Sequence, residues 1–231
     1  LQDAGCLPAG RLTPAFKATL VAPLLAFFGV ASPEGWQQQY LRLEVAFRRA
    51  TPRHQTNNAA ITAWLRMGEI AAASSHALPA YSAGTLQANL NAMRALTLAP
   101  APTIACALRE LCTQAGVALV FVPALAGTHV SGVARWLGDR PLIQLSLRGK
   151  WNDVFWFSYF HEVGHILKHR AKRSVFLDDA SASGTASKEE QEANQFAADL
   201  LIPPADARRL DQIELNAAAV RQFAQEISLH P

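Results

Sequence analysis

An α+β fold is predicted for this chain of 231 residues, with a helical region followed by a small sheet and a long apolar helix. Apolar residues recur at helical spacing through roughly the first hundred residues. Three short apolar runs bounded by turn residues come next and are typical of strands. Since 50% of the residues are hydrophobic, the chain can form a substantial core.

Charge and cysteine content argue against several classes of protein. The formal net charge is +3, too weak a basic excess to indicate nucleic-acid binding on its own. The three cysteines include no CxxC pair, which argues against a disulfide framework and against a thiolate metal site. We therefore expect a reducing, cytoplasmic setting.

The N-terminal part is predicted to be a tail over residues 1–15 and two helices over residues 16–50. The break between the helices is expected near residues 29–32, with Ser32 capping the second helix and Pro33 in its first position. The apolar stretch 18–31 resembles the core of a signal peptide. We interpret it as a short buried helix, because a transmembrane helix needs about 20 apolar residues. Export of the chain is the alternative that this stretch suggests.

Helical spacing continues over residues 58–73, 84–96 and 104–115. We find no catalytic constellation in this part of the chain. We therefore divide the sequence into a helical N-terminal or linker region, 1–110, and a second domain, 111–231. The helical region is the predicted surface for a homodimer.

Strands are predicted at residues 117–122, 132–137 and 142–147, giving a sheet of about three strands. The turn residues 138–141 lie between the last two strands, which are therefore expected to form a hairpin. Apolar and polar residues alternate along 142–147, which predicts a strand with one buried face.

The segment 151–169 is a predicted core helix, because apolar residues occupy most of its circumference. It contains the pattern His161-Glu162-x-x-His165. Residues four apart lie on one face of a helix, so both imidazoles can bind one metal ion. Glu162 lies beside them and can act as general base towards a water molecule. A metal ion would also compensate for burying these polar groups.

A third ligand is predicted in the helix 188–201, because a catalytic zinc site typically uses three protein ligands. Helical phase places Glu190 and Asn194 on a stripe beside the apolar face. We predict Glu190 as the third ligand and Asn194 as the residue that orients a ligand histidine. Glu189 and Glu192 stay open as alternatives. Two histidines and a carboxylate suit Zn²⁺, and His169 is not expected to be a ligand.

The segments HEVGHILKH and EEQEANQFAADLLIPP resemble the ImmA/IrrE family of zinc metallopeptidases. The resemblance implies a zincin-like fold of the gluzincin type, with Glu162 as catalytic base and zinc bound by His161, His165 and Glu190. The wider stretch from FFGVASPEGW onwards is similar to regulators that join an XRE-type helix-turn-helix to such a domain, some of them HigA-type antitoxins. In these fusions the helix-turn-helix would precede residue 1. We find none in the chain, and expect no direct nucleic-acid binding by it.

The resemblance implies a zinc-dependent endopeptidase that cleaves a DNA-binding transcriptional repressor or antitoxin-type partner in stress, phage or mobile-element regulation. The substrate is expected to lie extended along residues 132–137, and no membrane partner is expected. Tyr159, His129 and Arg135 are the candidates for stabilising the oxyanion. The alternative is a regulatory binding module without proteolysis, in which the metal is structural or sensory and the helical region contacts the partner.

Overall fold

The computed structural model describes residues 1–40, 57–74, 78–128, 130–146, 152–169, 176–178, 187–214 and 216–231. The helices of the N-terminal half are α1 Pro14–Thr19, α2 Val21–Phe28, α3 Pro33–Tyr40, α4 Asn58–Ala73, α5 Ala83–Ala95 and α6 Ala101–Gln114. A 3₁₀ turn at Leu96–Leu98 links α5 to α6. The remaining elements are β1 Ala118–Phe121, β2 Gly132–Leu137, β3 Arg140–Leu145, α7 Asn152–Lys168, β4 Phe176–Asp178, α8 Lys188–Leu201, α9 Pro204–Leu210 and α10 Ala217–Glu226.

The fold class is α+β, as the sequence predicts. Within the described residues the sheet has the strand order β1-β3-β2-β4. The central strand β3 runs parallel to β1, with Ala118 opposite Leu142, and antiparallel to β2, with Gly132 opposite Leu145. The fourth strand, β4, adds an antiparallel partner to the start of β2. It was not predicted, because three residues are too few to establish a period.

A two-residue turn joins β2 and β3. Gly138 in this turn has a φ of 64°, the left-handed conformation that such hairpins require. The strand after it begins at Arg140, two residues earlier than predicted. Pro141 is tolerated there because β1 pairs with β3 only from Leu142 onwards, so the missing N–H costs no bond to β1.

Both faces of β3 are buried, so the prediction of one buried face is wrong. Leu142, Ile143, Gln144 and Leu145 are each at most 2% exposed. One face packs against α4, and the other packs against α5, α6 and α7. The side-chain amide nitrogen of Gln144 donates to the Trp64 carbonyl of α4 at 2.7 Å. In β3 the polar residue of the alternating pattern is therefore a buried group that is hydrogen-bonded to a helix. It does not indicate a solvent-exposed face.

The predicted break between the first helices is confirmed. Gly29 ends α2 in a left-handed conformation with a φ of 68°. The hydroxyl of Ser32 accepts a hydrogen bond from Gly35 N at 3.2 Å, at the start of α3. The predicted continuation of α3 over 41–50 lies outside the described residues. Among the described residues no single helix is long and apolar enough to cross a membrane, although the bent pair Pro14–Phe28 and Pro33–Tyr40 passes that test together.

Arg94 of α5 connects three helices that are distant in sequence. Its guanidinium donates to the carbonyls of Leu200 and Leu201 at the end of α8, with distances of 2.9 to 3.2 Å. It also donates to the Ile227 carbonyl, just after α10, at 2.8 Å. These carbonyls belong to the last turns of the helices, which lack partners within the helix itself. One side chain from the helical region thus holds the C-terminal helices in place.

Candidate metal centre

The predicted motif lies in the most deeply buried stretch of α7. His161, Glu162 and His165 are 1%, 0% and 1% exposed, respectively. The helix is held between the sheet and α8, and its aromatic residues Trp156 and Phe160 pack in the main core. Ionisable groups buried to this extent require compensating partners.

Gly164 allows α7 and α8 to approach closely. A Cβ atom added at Gly164 would lie 3.0 Å from the Phe196 ring and 3.4 Å from Cα of Ala193. Ala193 is fully buried in the same contact. Ser187 caps α8 by accepting a hydrogen bond from Glu190 N at 3.3 Å, which fixes where the helix begins. The first turn of α8 therefore lies over the two histidines of α7.

Three side chains converge on one point between these helices. The Nε2 atoms of His161 and His165 are 3.0 Å apart. The carboxylate of Glu190 places one oxygen 3.2 Å from His161 Nε2 and the other 3.3 Å from His165 Nε2. These ligand atoms all lie within 4.8 Å of one another. The arrangement can hold a metal ion, and it is where the sequence predicts one.

Asn194 contacts the other ring nitrogen of His161. Its Oδ1 lies 2.9 Å from Nδ1, so Nδ1–H donates to it and Nε2 is the nitrogen that a metal ion would bind. Asn194 is one helical turn after Glu190, so a single face of α8 supplies both contacts. The predicted orienting contact is therefore present in the structure.

The electrostatics of the group suit ligands in their unprotonated forms. Burial lowers the pKa of His165, against the opposing effect of its contact with Glu190. Burial alone would raise the pKa of Glu190, but hydrogen bonds from His161 and His165 outweigh it and lower the pKa to about 2. A neutral imidazole and an ionised carboxylate are the forms that bind a metal ion.

The other acidic residues of α8 lie away from this point. Glu192 is 41% exposed, makes a 3.7 Å ion pair with Lys188 and lies 3.7 Å from His169 Nε2. The backbone carbonyl of Glu189 accepts a hydrogen bond from His169 Nε2 at 3.2 Å. His169 thus contacts the start of α8, while Glu190 is the carboxylate beside His161 and His165.

Glu162 lies against a glycine that sequence reasoning did not single out. A Cβ atom added at Gly132 of β2 would be 2.8 Å from Glu162 Oε1 and 2.9 Å from Leu145 Cδ2. The bare backbone at Gly132 leaves the space that the buried carboxylate occupies. The sheet register, which brings Gly132 under α7, is a long-range feature that local patterns do not contain.

Two of the candidates for oxyanion stabilisation are wrong. The hydroxyl of Tyr159 donates to Met93 Sδ at 3.1 Å within the core. Arg135 lies on the opposite face of the sheet, where it pairs with Glu69 at 2.7 Å. His129 lies outside the described residues.

The expected docking strand also needs correction. β4 pairs with β2 over Gly132–Ala134, so a substrate could not add a strand along the whole of 132–137. A strand lying along β2 at that point would have to displace β4.

Comparison with known protein families identifies the kind of domain that contains the metal centre. Residues 113–225 match the model of the IrrE N-terminal-like domain, the M78 peptidase family. The chain carries an IrrE N-terminal-like domain. This domain includes the whole sheet, α7 and α8, and therefore every residue of the metal centre. It is a metallopeptidase-type domain, in agreement with the resemblance stated above. Searches of curated proteins and of solved structures give no match.

Proposed function

We propose that this protein is a zinc-dependent endopeptidase. The observation that carries the proposal is the convergence of His161, His165 and Glu190 beside the buried Glu162, within a domain of a metallopeptidase family. Two imidazoles and a carboxylate, with one position left for water, form a set typical of catalytic zinc.

The spacing of the donor atoms fits zinc. Ligands bound to tetrahedral zinc at about 2.0–2.1 Å lie roughly 3.3 Å from one another. The three donor pairs here are separated by 3.0, 3.2 and 3.3 Å. The cysteines of the chain are not in this group, so the donor set is nitrogen and oxygen, which suits zinc at a hydrolytic site.

Each side chain has one task in this proposal. His161, His165 and Glu190 hold the ion, and Asn194 keeps the His161 ring in the required tautomer. Zinc, when bound, supplies a Lewis acid that acidifies a water molecule and polarises the substrate carbonyl. Glu162 takes the proton from the water and delivers it to the leaving amine. Burial beside Gly132 holds the Glu162 carboxylate in position for that transfer.

The proposed substrate is a DNA-binding repressor or an antitoxin-type protein, cleaved in stress, phage or mobile-element control. The similarity of the sequence to XRE-linked ImmA/IrrE regulators supports this choice. We also propose a cytoplasmic location, and a homodimer contact through the helical region 1–110.

Metal analysis of purified variants tests the ligand set. We expect one zinc per wild-type chain, and zinc loss in His161→Ala and Glu190→Ala. Glu192→Ala is the matched control, because Glu192 lies on the same helix and outside the group; it should keep its zinc. Unchanged zinc in Glu190→Ala, with loss in Glu192→Ala, would contradict the assignment. A wild-type chain that binds zinc but cleaves no candidate repressor would favour the binding module.

A further inference from the structure

A large cavity opens beside the N-terminal half of α7. Its volume is about 780 Å³, within the range of about 300–1,000 Å³ that is usual for ligand sites. It lies between α6, the end of β1 and the first turns of α7. Apolar side chains form most of its wall, among them Ile104, Phe121, Val154 and Phe155.

This cavity lies next to the proposed general base. Leu145 and Ser131 line it, and both adjoin Gly132: Ser131 along the chain, and Leu145 as its partner across the sheet. The space that a Gly132 Cβ would enter is bounded by Leu145 and by the Glu162 carboxylate. Ser158, another lining residue, precedes Glu162 by one turn of the same helix face. Leu145 and Ser131 of the wall therefore border the glycine that Glu162 packs against, and Ser158 lies one turn before Glu162 on α7.

Charge restricts what the cavity can accept. Arg109 is the lining residue with a full formal charge at neutral pH, and its guanidinium lies 4.9 Å from the centre of the Phe121 ring. The described lining residues include no carboxylate. A Lys or Arg side chain entering the cavity would lose its hydration without meeting a carboxylate among these lining residues. A large apolar side chain would bury its surface against the wall at no such cost.

We propose that this cavity is a specificity subsite that takes a large apolar side chain, such as Leu, Met or Phe, next to the scissile bond of the substrate. The proposal rests on the proposed peptidase function. It adds the substrate class, which is peptides with a large apolar residue beside the scissile bond. A basic residue in that position is not preferred.

Variants that fill the cavity test the proposal. Ala105→Phe places a ring into the space from α6, and Ala101→Trp does so from an exposed position at the start of the same helix. Cys106→Phe is the matched control, because Cys106 is exposed and does not line the cavity. The zinc-loaded chains are incubated with a proteome-derived peptide library, and mass spectrometry identifies the cleaved bonds. Circular dichroism and zinc content verify that each variant is folded and loaded.

Wild type and Cys106→Phe should cleave beside Leu, Met or Phe. Wild type should cleave beside these residues faster than beside Ala, and in the filled variants this ratio should fall by about tenfold or more. A fall of that size is expected when one large side chain can no longer be buried. Cleavage by wild type with no apolar preference, or a preference unchanged in both filled variants, would overturn the subsite while leaving the peptidase function standing.

A second readout separates the two proposals. N-acetyl-L-phenylalaninamide is titrated into the isotope-labelled chain, and N-acetyl-L-alaninamide serves as the comparison ligand. We expect amide shifts at Ser131 and Leu145 with the phenylalanine compound, and their loss in the filled variants. Such binding without any cleavage of peptides would support the subsite and contradict the peptidase function. Absence of binding by the phenylalanine compound would contradict the subsite.

Discussion

Asn194 Oδ1 lies 2.9 Å from Nδ1 of His161, and this contact leads to the first prediction. Contacts of this kind to a ligand histidine typically change metal affinity by 10- to 100-fold when they are removed. We expect Asn194→Ala to weaken zinc binding by roughly that factor. Competition with a chromophoric chelator measures the change. Gln195→Ala on the exposed side of α8 is the control, and equal affinities in the two variants would show that the contact is unimportant.

Gly132 leads to a prediction about hydrolysis rather than metal binding. In Gly132→Ala the new methyl group would meet Glu162 Oε1 at 2.8 Å, so the carboxylate must move. A displacement of about 1 Å can reduce a rate by about 10²-fold, while the zinc ligands on α7 and α8 stay in place. We expect peptide hydrolysis to fall by about that factor with zinc content unchanged.

The control for this variant is Gly84→Ala. A Cβ atom at Gly84 meets nothing within 4 Å, so this substitution should leave hydrolysis unaffected. If Gly132→Ala hydrolyses peptides as fast as Gly84→Ala, Gly132 does not position the base.

The Arg94 contacts predict a loss of stability. Arg94→Met keeps much of the side-chain volume but removes the hydrogen bonds to the carbonyls at the end of α8 and just after α10. Hydrogen bonds to a charged group contribute about 1.5–3 kcal/mol, and we expect a loss of about 2–4 kcal/mol in the free energy of unfolding. Urea denaturation measures it. Arg208→Met, at an exposed position of α9, should change the unfolding free energy by less than about 0.5 kcal/mol; similar losses in both variants would refute the role of Arg94.

The metal-free chain should lose stability in acid, partly through Glu190. The folded-state pKa of Glu190 is about 2, below its ordinary value of 4.5. Its contribution is therefore fully present above about pH 4.5 and lost as the pH falls towards 2. His165 acts in the same direction, because burial lowers its pKa from 6.5 and protonation then favours the unfolded chain.

Urea denaturation at about pH 6 and about pH 3 measures this effect. Wild type should lose on the order of 2 kcal/mol more than Glu190→Gln over this interval. Glu192→Gln, whose side chain is 41% exposed, should behave as wild type. If Glu190→Gln shows the same acid dependence as wild type, the ionised Glu190 does not stabilise the metal-free fold.

Much of the centre follows from local sequence, because helical periodicity decides which side chains share a face. This holds for His161 and His165 within α7, and for Glu190 and Asn194 within α8. That the two faces meet depends on Gly164, where α7 and α8 come close enough for Glu190 to reach the imidazoles. The downstream acidic helix could be predicted as the partner only because catalytic zinc needs a third ligand.

Features that depend on tertiary pairing could not be predicted. Arg94 binds carbonyls more than a hundred positions away, and no local pattern indicates such a contact. Both faces of β3 are buried because α4 covers one of them. This helix is distant from β3 in the sequence, so the alternating pattern of the strand does not reveal the contact. Gly132 looks like an ordinary residue at a strand start until the sheet register brings it beneath Glu162.

Hydrolysis by zinc-loaded Glu162→Gln compared with wild type tests the central claim most directly. Both proteins are incubated with the same peptide library after their zinc content has been measured. We predict one zinc per chain in each, cleavage by wild type, and a loss of at least about 10²-fold in the variant, because Gln cannot take the proton from water. Equal cleavage by the variant and by wild type would contradict the assignment of Glu162 as the base and, with it, the proposed mechanism.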